Sequence, residues 1–219
     1  VRITKSMTRI PLQFTKPNVS KIVKENMVIE NLKKRIHQDK DSTLIFLTKP
    51  GVVEWCFPNV ATNKYLTSQK EKRWGQNVIG YETNQWTTKL GESLLEEALI
   101  MLGKNPTRIK NRKKGENGKE LVPDFETDDA LYECKARTYT TTGTAGEKIL
   151  GTPWKYSDCQ KLYGKPLYIV CMAMQELEAE KDFRLFNTQS ETRKKLLEFL
   201  EENAGIKYIK FTDLLKQCI

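Results

Sequence analysis

Histidine is almost missing from this chain, with one residue, His37, in 219. A zinc centre built on imidazoles has no second member to draw on, and a hydrolase triad would have to rest on His37 alone. His37 itself lies in a basic helical segment and reads as a surface residue rather than a catalytic base. Cysteine is sparse and unpatterned. Residues 56, 134, 159, 171 and 218 make an odd set without a CxxC pair, which argues against a disulfide scaffold or a zinc knuckle. Cys134 and Cys171 sit inside apolar runs and read as small buried hydrophobes, so the expected setting is reducing, intracellular and cytoplasmic. No run of eighteen apolar residues occurs, so no membrane span is expected, and the opening VRITKSMTRIPLQF lacks the apolar stretch of a secretory signal. Both phosphate-cradling patterns, GxGxxG and GxxxxGK[ST], are missing, which speaks against a dinucleotide fold or a P-loop ATPase.

Acid is the minority charge. Thirty-seven Lys and Arg stand against 28 Asp and Glu, net +9, which favours a polyanionic partner. The excess peaks locally: residues 104–120 hold seven basic and two acidic side chains. With 38% hydrophobic residues the chain can bury a core, and it shows neither an internal repeat nor a long linker.

Periodicity predicts a helix over 19–36, with Ile22, Val23, Met27, Ile29, Leu32 and Ile36 near one stripe. Residues 44–47 and 52–57 read as short strands around the turn Lys49-Pro50-Gly51. Residues 58–89 read as polar and irregular, anchored by Trp74, Tyr81 and Trp86. A stronger helix follows over 90–103, with Leu94, Leu95, Ala98, Leu99, Met101 and Leu102 inward and Gly103 as its stop. Strands are expected over 107–112, 121–125, 130–136 and 167–173, with KKGENGK (113–119) as a basic hairpin turn and 127–129 as a second turn. Residues 138–146 read as a Thr/Gly loop and 154–163 as helical. Residues 191–202 read as an amphipathic helix with Leu196, Leu197 and Leu200 inward, followed by a strand over 206–211 and a helix over 212–217. This order suggests an α/β layer structure around a mixed sheet.

The segment PDFETDDALYECK, residues 123–135, concentrates the chemistry. Side chains alternate along a strand, so Glu133 and Lys135 share a face while Cys134 points into the packed side. A hairpin through Asp128 and Asp129, which read as turn formers, would bring Asp124 beside them. Asp124, Glu133 and the backbone carbonyl of Cys134 suit a hard cation such as Mg²⁺. Lys135 is then placed to activate water or to offset charge near a phosphate.

Pro123-Asp124, eight residues, then Glu133-Cys134-Lys135 resembles the motif of the PD-(D/E)xK nuclease superfamily. The resemblance spans about residues 90–175, and the whole looks most like a small type II restriction endonuclease. It implies a mixed sheet flanked by helices and Mg²⁺-dependent hydrolysis of phosphodiester bonds in double-stranded DNA. It also implies a further glutamate on the preceding helix, carried to Glu92, with Glu96 as the substitute one turn on. The implied organisation is a basic recognition or dimerisation region over 1–89, a catalytic core over 90–175 and a C-terminal extension over 176–219. Arg112, Lys113, Lys114 and Lys119 of the basic turn are candidate contacts to the DNA backbone. Lys148, Lys155 and Gln160, downstream of the motif, are candidates to touch DNA or order the attacking water. Asn59, Asn63, Gln69, Lys70, Lys72, Arg73, Gln76 and Asn77 are possible base-reading donors, among which composition does not choose. Because a duplex has two antiparallel strands and the chain one motif, a two-fold homodimer on DNA is expected. A repair or recombination nuclease acting on branched or damaged DNA, and a DNA-binding module without turnover, remain alternatives.

Overall fold

A computed structural model describes residues 19–38, 44–62, 67–140 and 144–219. In chain order its elements are α1 (Val19–Gln38), α2 (Val52–Cys56), α3 (Pro58–Ala61), α4 (Ser68–Ile79) and α5 (Trp86–Met101). These are followed by β1 (Lys113–Lys114), β2 (Glu120–Leu121), β3 (Phe125–Glu126) and β4 (Leu131–Arg137). A 3-10 turn (Thr144–Ile149), α6 (Thr152–Lys155) and α7 (Cys159–Tyr163) lead to β5 (Leu167–Ala173). Then come α8 (Met174–Lys181), α9 (Glu191–Ala204), β6 (Ile206–Lys210) and α10 (Phe211–Gln217).

The fold is mixed α/β. Four strands form one sheet in the order β3-β4-β5-β6, with β3 antiparallel to β4 and the other pairs parallel. β5 is central and apolar on both faces, as parallel strands covered by helices are. Alternation along β4 and β5 separates two cores. Tyr132, Cys134, Val170 and Met172 face α5, α10 and the N-terminal helices, in a cluster that reaches from Ile29 to Cys218. Leu131, Ile169 and Cys171 face α6, α7 and β6 through Ile149, Tyr156, Cys159 and Tyr208. Among the described residues no helix is long and apolar enough to cross a membrane.

α5 lies close on the first face. A Cβ at Gly91 would stand 2.7 Å from the Ala136 Cβ and 3.1 Å from the Cys134 Sγ. α4 lies equally close to α5, because a Cβ at Gly75 would meet the Trp86 ring at 2.1 Å. Trp55 packs tilted against Trp74 and Trp86, which meet each other edge-on, and Tyr139 is edge-on to Trp55.

Several sequence expectations are corrected. Residues 44–47 form turns rather than a strand, because their backbone amides have another acceptor. The buried carboxylate of Glu97 accepts from the amides of Ile45, Phe46 and Leu47 at 2.6, 2.7 and 2.8 Å. Most of residues 52–57 form α2, since Val52, Val53, Trp55 and Cys56 are all buried and a helix satisfies its own backbone there. Residues 58–89 contain α3, all of α4 and the start of α5 rather than irregular chain, and Tyr81 is exposed rather than an anchor. Residues 107–112 contribute only an isolated bridge, Thr107 to Glu126. The strand expected over 121–125 is broken into β2 and β3, and the helix expected over 154–163 into α6 and α7. In α1 only Ile29, Leu32 and Ile36 of the expected stripe are buried. In α9 Leu196 is 60% exposed, while Leu197 and Leu200 pack inward as expected. The centre of the Thr/Gly loop, 141–143, and Asn63 lie outside the described residues.

Candidate functional site

β3 stops after pairing Phe125 with Tyr132. Continuing that register would set position 123 opposite Cys134, and a proline has no N–H to donate to the Cys134 carbonyl. The chain instead bends at Asp124, whose Oδ2 accepts the Cys134 amide at 2.7 Å. The N–H and C=O of one strand residue point to the same neighbouring strand. The Cys134 carbonyl therefore faces the notch where β3 ends, on the same side as the Asp124 carboxylate.

Glu133 and Lys135 share the second face of β4, and the Lys135 ammonium donates to Glu133 Oε1. The other carboxylate oxygen, Oε2, receives the Tyr156 hydroxyl at 3.0 Å. That hydroxyl also lies 3.2 Å from the Val122 carbonyl and accepts from Lys155 Nζ at 2.7 Å. Glu133 is 5% exposed. Tyr156, just past the end of α6, is fully buried, and its reach to Glu133 across the sheet face has no signal in the local sequence pattern.

The electrostatics follow from this crowding. Burial, and then the neighbouring Glu133 charge, push the Asp124 carboxyl up to about 7, although the Cys134 amide pulls the other way. Burial pulls Lys135 down, but Glu133 and Asp124 outweigh it and hold the ammonium above its ordinary value. Burial and Glu133 raise the Tyr156 phenol, so it stays a donor. The arrangement sets the Lys135 ammonium against Glu133 and near Asp124, with the Lys155 ammonium reaching the same carboxylate through the Tyr156 hydroxyl.

Glu92 reaches the same notch from α5, on the opposite face of the sheet, and its charge contributes to the raised Asp124. Its Oε2 is paired with Arg108 at 2.9 Å, and Arg108 also lies over the Phe125 ring and 3.5 Å from the Asp124 carbonyl. Glu96 is half-buried one turn further on. Among the described residues no three His, Cys, Asp or Glu side chains gather as a metal-holding group. The protein thus offers two carboxylates and a carbonyl. That set suits Mg²⁺, which keeps several of its waters and takes one or two carboxylates.

Lys135 opens into a cleft of about 1030 Å³. Lys148 and Lys155 line one wall, and Gln69, Lys72, Asn84 and Thr88 the other. Four lysines against a cleft without a carboxylate in its lining make it electropositive. The remaining candidates are elsewhere. Lys113 and Lys114 pair with Glu120 and Leu121 as the expected basic hairpin, with Lys114 and Lys119 exposed. Arg112 is ion-paired to Glu120 at 2.9 Å, and the hairpin is tied to α7, where Tyr163 accepts the Lys113 amide and donates to the Leu121 carbonyl. Gln160 lies over Gly205, where a Cβ would meet its amide at 2.5 Å, away from the cleft. Asn59 is buried and donates to Glu25. Asp129 pairs with Lys104 and Thr127, as a turn former does, and His37 is exposed.

No family model matches the chain, and no curated protein or solved structure matches it significantly.

Proposed function

We propose that this chain is a Mg²⁺-dependent endonuclease of the PD-(D/E)xK kind that hydrolyses phosphodiester bonds in double-stranded DNA, as a type II restriction enzyme. The observation that carries the reading is the convergence of Asp124, Glu133 and Lys135 where β3 ends, with Lys135 opening into an electropositive cleft. The four-stranded mixed sheet with α5 packed before it supports a restriction-endonuclease-like fold.

In this reading Asp124, Glu133 and the Cys134 carbonyl hold the ion, which supplies Lewis-acid stabilisation of charge on the phosphate. With the ion bound, Glu133 would serve as its ligand, and the Lys135 ammonium, set two residues along the same face, would offset the charge that builds on the phosphate as water attacks phosphorus. Tyr156 keeps Glu133 oriented from beneath. Glu92, braced by Arg108, adds negative charge beside Asp124 and strengthens the pull on a cation. Lys148 and Lys155 neutralise phosphates along the wall, which favours binding without choosing sequence. A two-fold homodimer, each subunit serving one strand, belongs to the same reading, as does a reducing cytoplasmic setting in which all five cysteines stay free.

The test is incubation with long duplex DNA and Mg²⁺, followed by sequencing of every new end. Discrete ends that disappear with EDTA and with Glu133→Gln or Asp124→Asn are expected. Each variant should slow single-turnover cleavage on the order of 10²-fold or more. Intact duplex across Mg²⁺ and Mn²⁺ concentrations, with folded protein, overturns the reading. Cleavage confined to junctions or lesions overturns its restriction part.

A further inference from the structure

The outer face of α4 carries a row that the catalytic chemistry does not use. Gln69, Arg73 and Asn77 recur every four residues and so stand one above the other along the helix. All three are exposed. None has a side-chain hydrogen-bond or ion-pair partner among the described residues. Lys72 and Gln76 flank the row but are already engaged, Lys72 with Asn84 Oδ1 at 2.8 Å and Gln76 with the Thr83 carbonyl at 3.0 Å. The acid of this helix, Glu71, points inward, and Glu82 sits at the far end of the same surface.

This face is fixed relative to the candidate site by two ties. Trp86 of α5 covers Gly75 of α4, so α4 is packed directly on the helix that carries Glu92. The buried Glu71 carboxylate receives the amides of Tyr139 and Thr140, the Thr140 hydroxyl and the Trp55 indole N–H. Tyr139 and Thr140 lie just past the end of β4, the strand of Glu133 and Lys135. Gln69 and Lys72 line both the cleft that holds Lys135 and the shallower surface along α4. The row is therefore a rigid continuation of the cleft wall.

We infer that α4 is the base-reading element, entering the major groove of duplex DNA with Gln69, Arg73 and Asn77 toward the base edges. This rests on the nuclease reading and names the part of the chain that sets its sequence choice. The residue types fit the groove's code: an arginine matches the guanine O6/N7 pair, and glutamine or asparagine the adenine N6/N7 pair. A helix about 10–12 Å across matches a groove about 12 Å wide. The eight helical steps from Gln69 to Asn77 rise about 12 Å, which spans roughly three to four base steps. Net positive charge from Lys70, Lys72 and Arg73 suits the flanking phosphates.

The test enriches binding sites from a pool of random duplexes in Ca²⁺ with the full chain, using the wild type and the Arg73→Ala and Asn77→Ala variants. These positions are exposed, so folding is checked simply by the unfolding midpoint. Wild type should enrich one motif. Each variant should lose preference at one or two adjacent positions of it and bind the parent site at least tenfold more weakly, with nonspecific binding changed less than threefold. The same motif enriched by wild type and variants, equal weakening on all duplexes, or no motif from the wild type overturns the inference. Cleavage in Mg²⁺, measured on the same proteins, reads the nuclease proposal separately. Cleavage with a motif indifferent to α4 sinks only the base-reading role, and α4-dependent motif binding without cleavage sinks only the nuclease.

Discussion

Tyr156 sets its hydroxyl 3.0 Å from Oε2 of Glu133 and receives Lys155 Nζ at 2.7 Å, so the carboxylate is held from below by a neutral donor that is itself oriented by a cation. Tyr156→Phe removes that donor and keeps the ring that fills the core. A hydrogen bond to a charged group contributes about 1.5–3 kcal/mol, so single-turnover cleavage should fall on the order of 10-fold or more. The Mg²⁺ concentration for half-maximal rate should rise, because Glu133 then presents less reliably. An unchanged Mg²⁺ dependence would show that the hydroxyl only stabilises the fold.

Half-buried Asp124 and buried Glu176 both have carboxyls pushed up to about 7, chiefly by loss of solvent. Between their ordinary values and about pH 7 the folded state keeps protons that the unfolded chain has lost, so stability falls as pH rises through that window. Each group contributes a slope of at most about 1.4 kcal/mol per pH unit. Urea unfolding without divalent ions should therefore give a higher midpoint near pH 5 than near pH 8, and Asp124→Asn should flatten the difference. Cleavage should climb through about pH 7 at fixed Mg²⁺, since a proton and the cation compete for the same carboxyl. A stability profile that rises from pH 5 to 8 would contradict this.

Glu97 satisfies three successive amides of a loop far from it in sequence. Glu97→Ala leaves those N–H groups without their acceptor. Two of the bonds are only partly buried, so water recovers some of the loss, and a destabilisation of roughly 3 kcal/mol is expected. Thermal unfolding would check it, and a change under about 0.5 kcal/mol would show that the loop finds other acceptors.

Lys113 and Lys114 sit on the basic hairpin, which is braced on α7 rather than on the cleft. Neutralising both to Gln should weaken binding to related and unrelated duplexes alike and reduce the salt dependence by up to about two charges. Binding in Ca²⁺ across salt concentrations measures this. Loss confined to one duplex sequence would point to base contact instead.

What the sequence made legible is what depends on local pattern. The alternation Glu133-Cys134-Lys135 correctly predicts which side chains share a face, and the apolar run of β5 announces a central strand. The leucines of α5 likewise mark its inward stripe. The misreadings have a common cause in tertiary burial. Val52, Val53, Trp55 and Phe57 have the composition of a strand, yet each is buried in a helical layer, so packing overrides β-propensity. α4 escaped notice because its inward face is made of Glu71, Gly75 and Val78. A buried carboxylate and a glycine under a tryptophan ring carry no hydrophobic signal. The reach of Tyr156 to Glu133 and of Arg108 to Glu92 joins segments 23 and 16 residues apart and depends on how layers dock.

Gly91 has a consequence for how the site is divided. Its missing side chain lets α5 rest on Ala136 and Cys134, and the next residue is Glu92. A single methyl at 91 would act as a shim between two layers, lifting Glu92 and Arg108 off the notch while Asp124, Glu133 and Lys135 stay in the sheet. The site is therefore assembled from two separately mounted halves, and the gap between them is set by one atom.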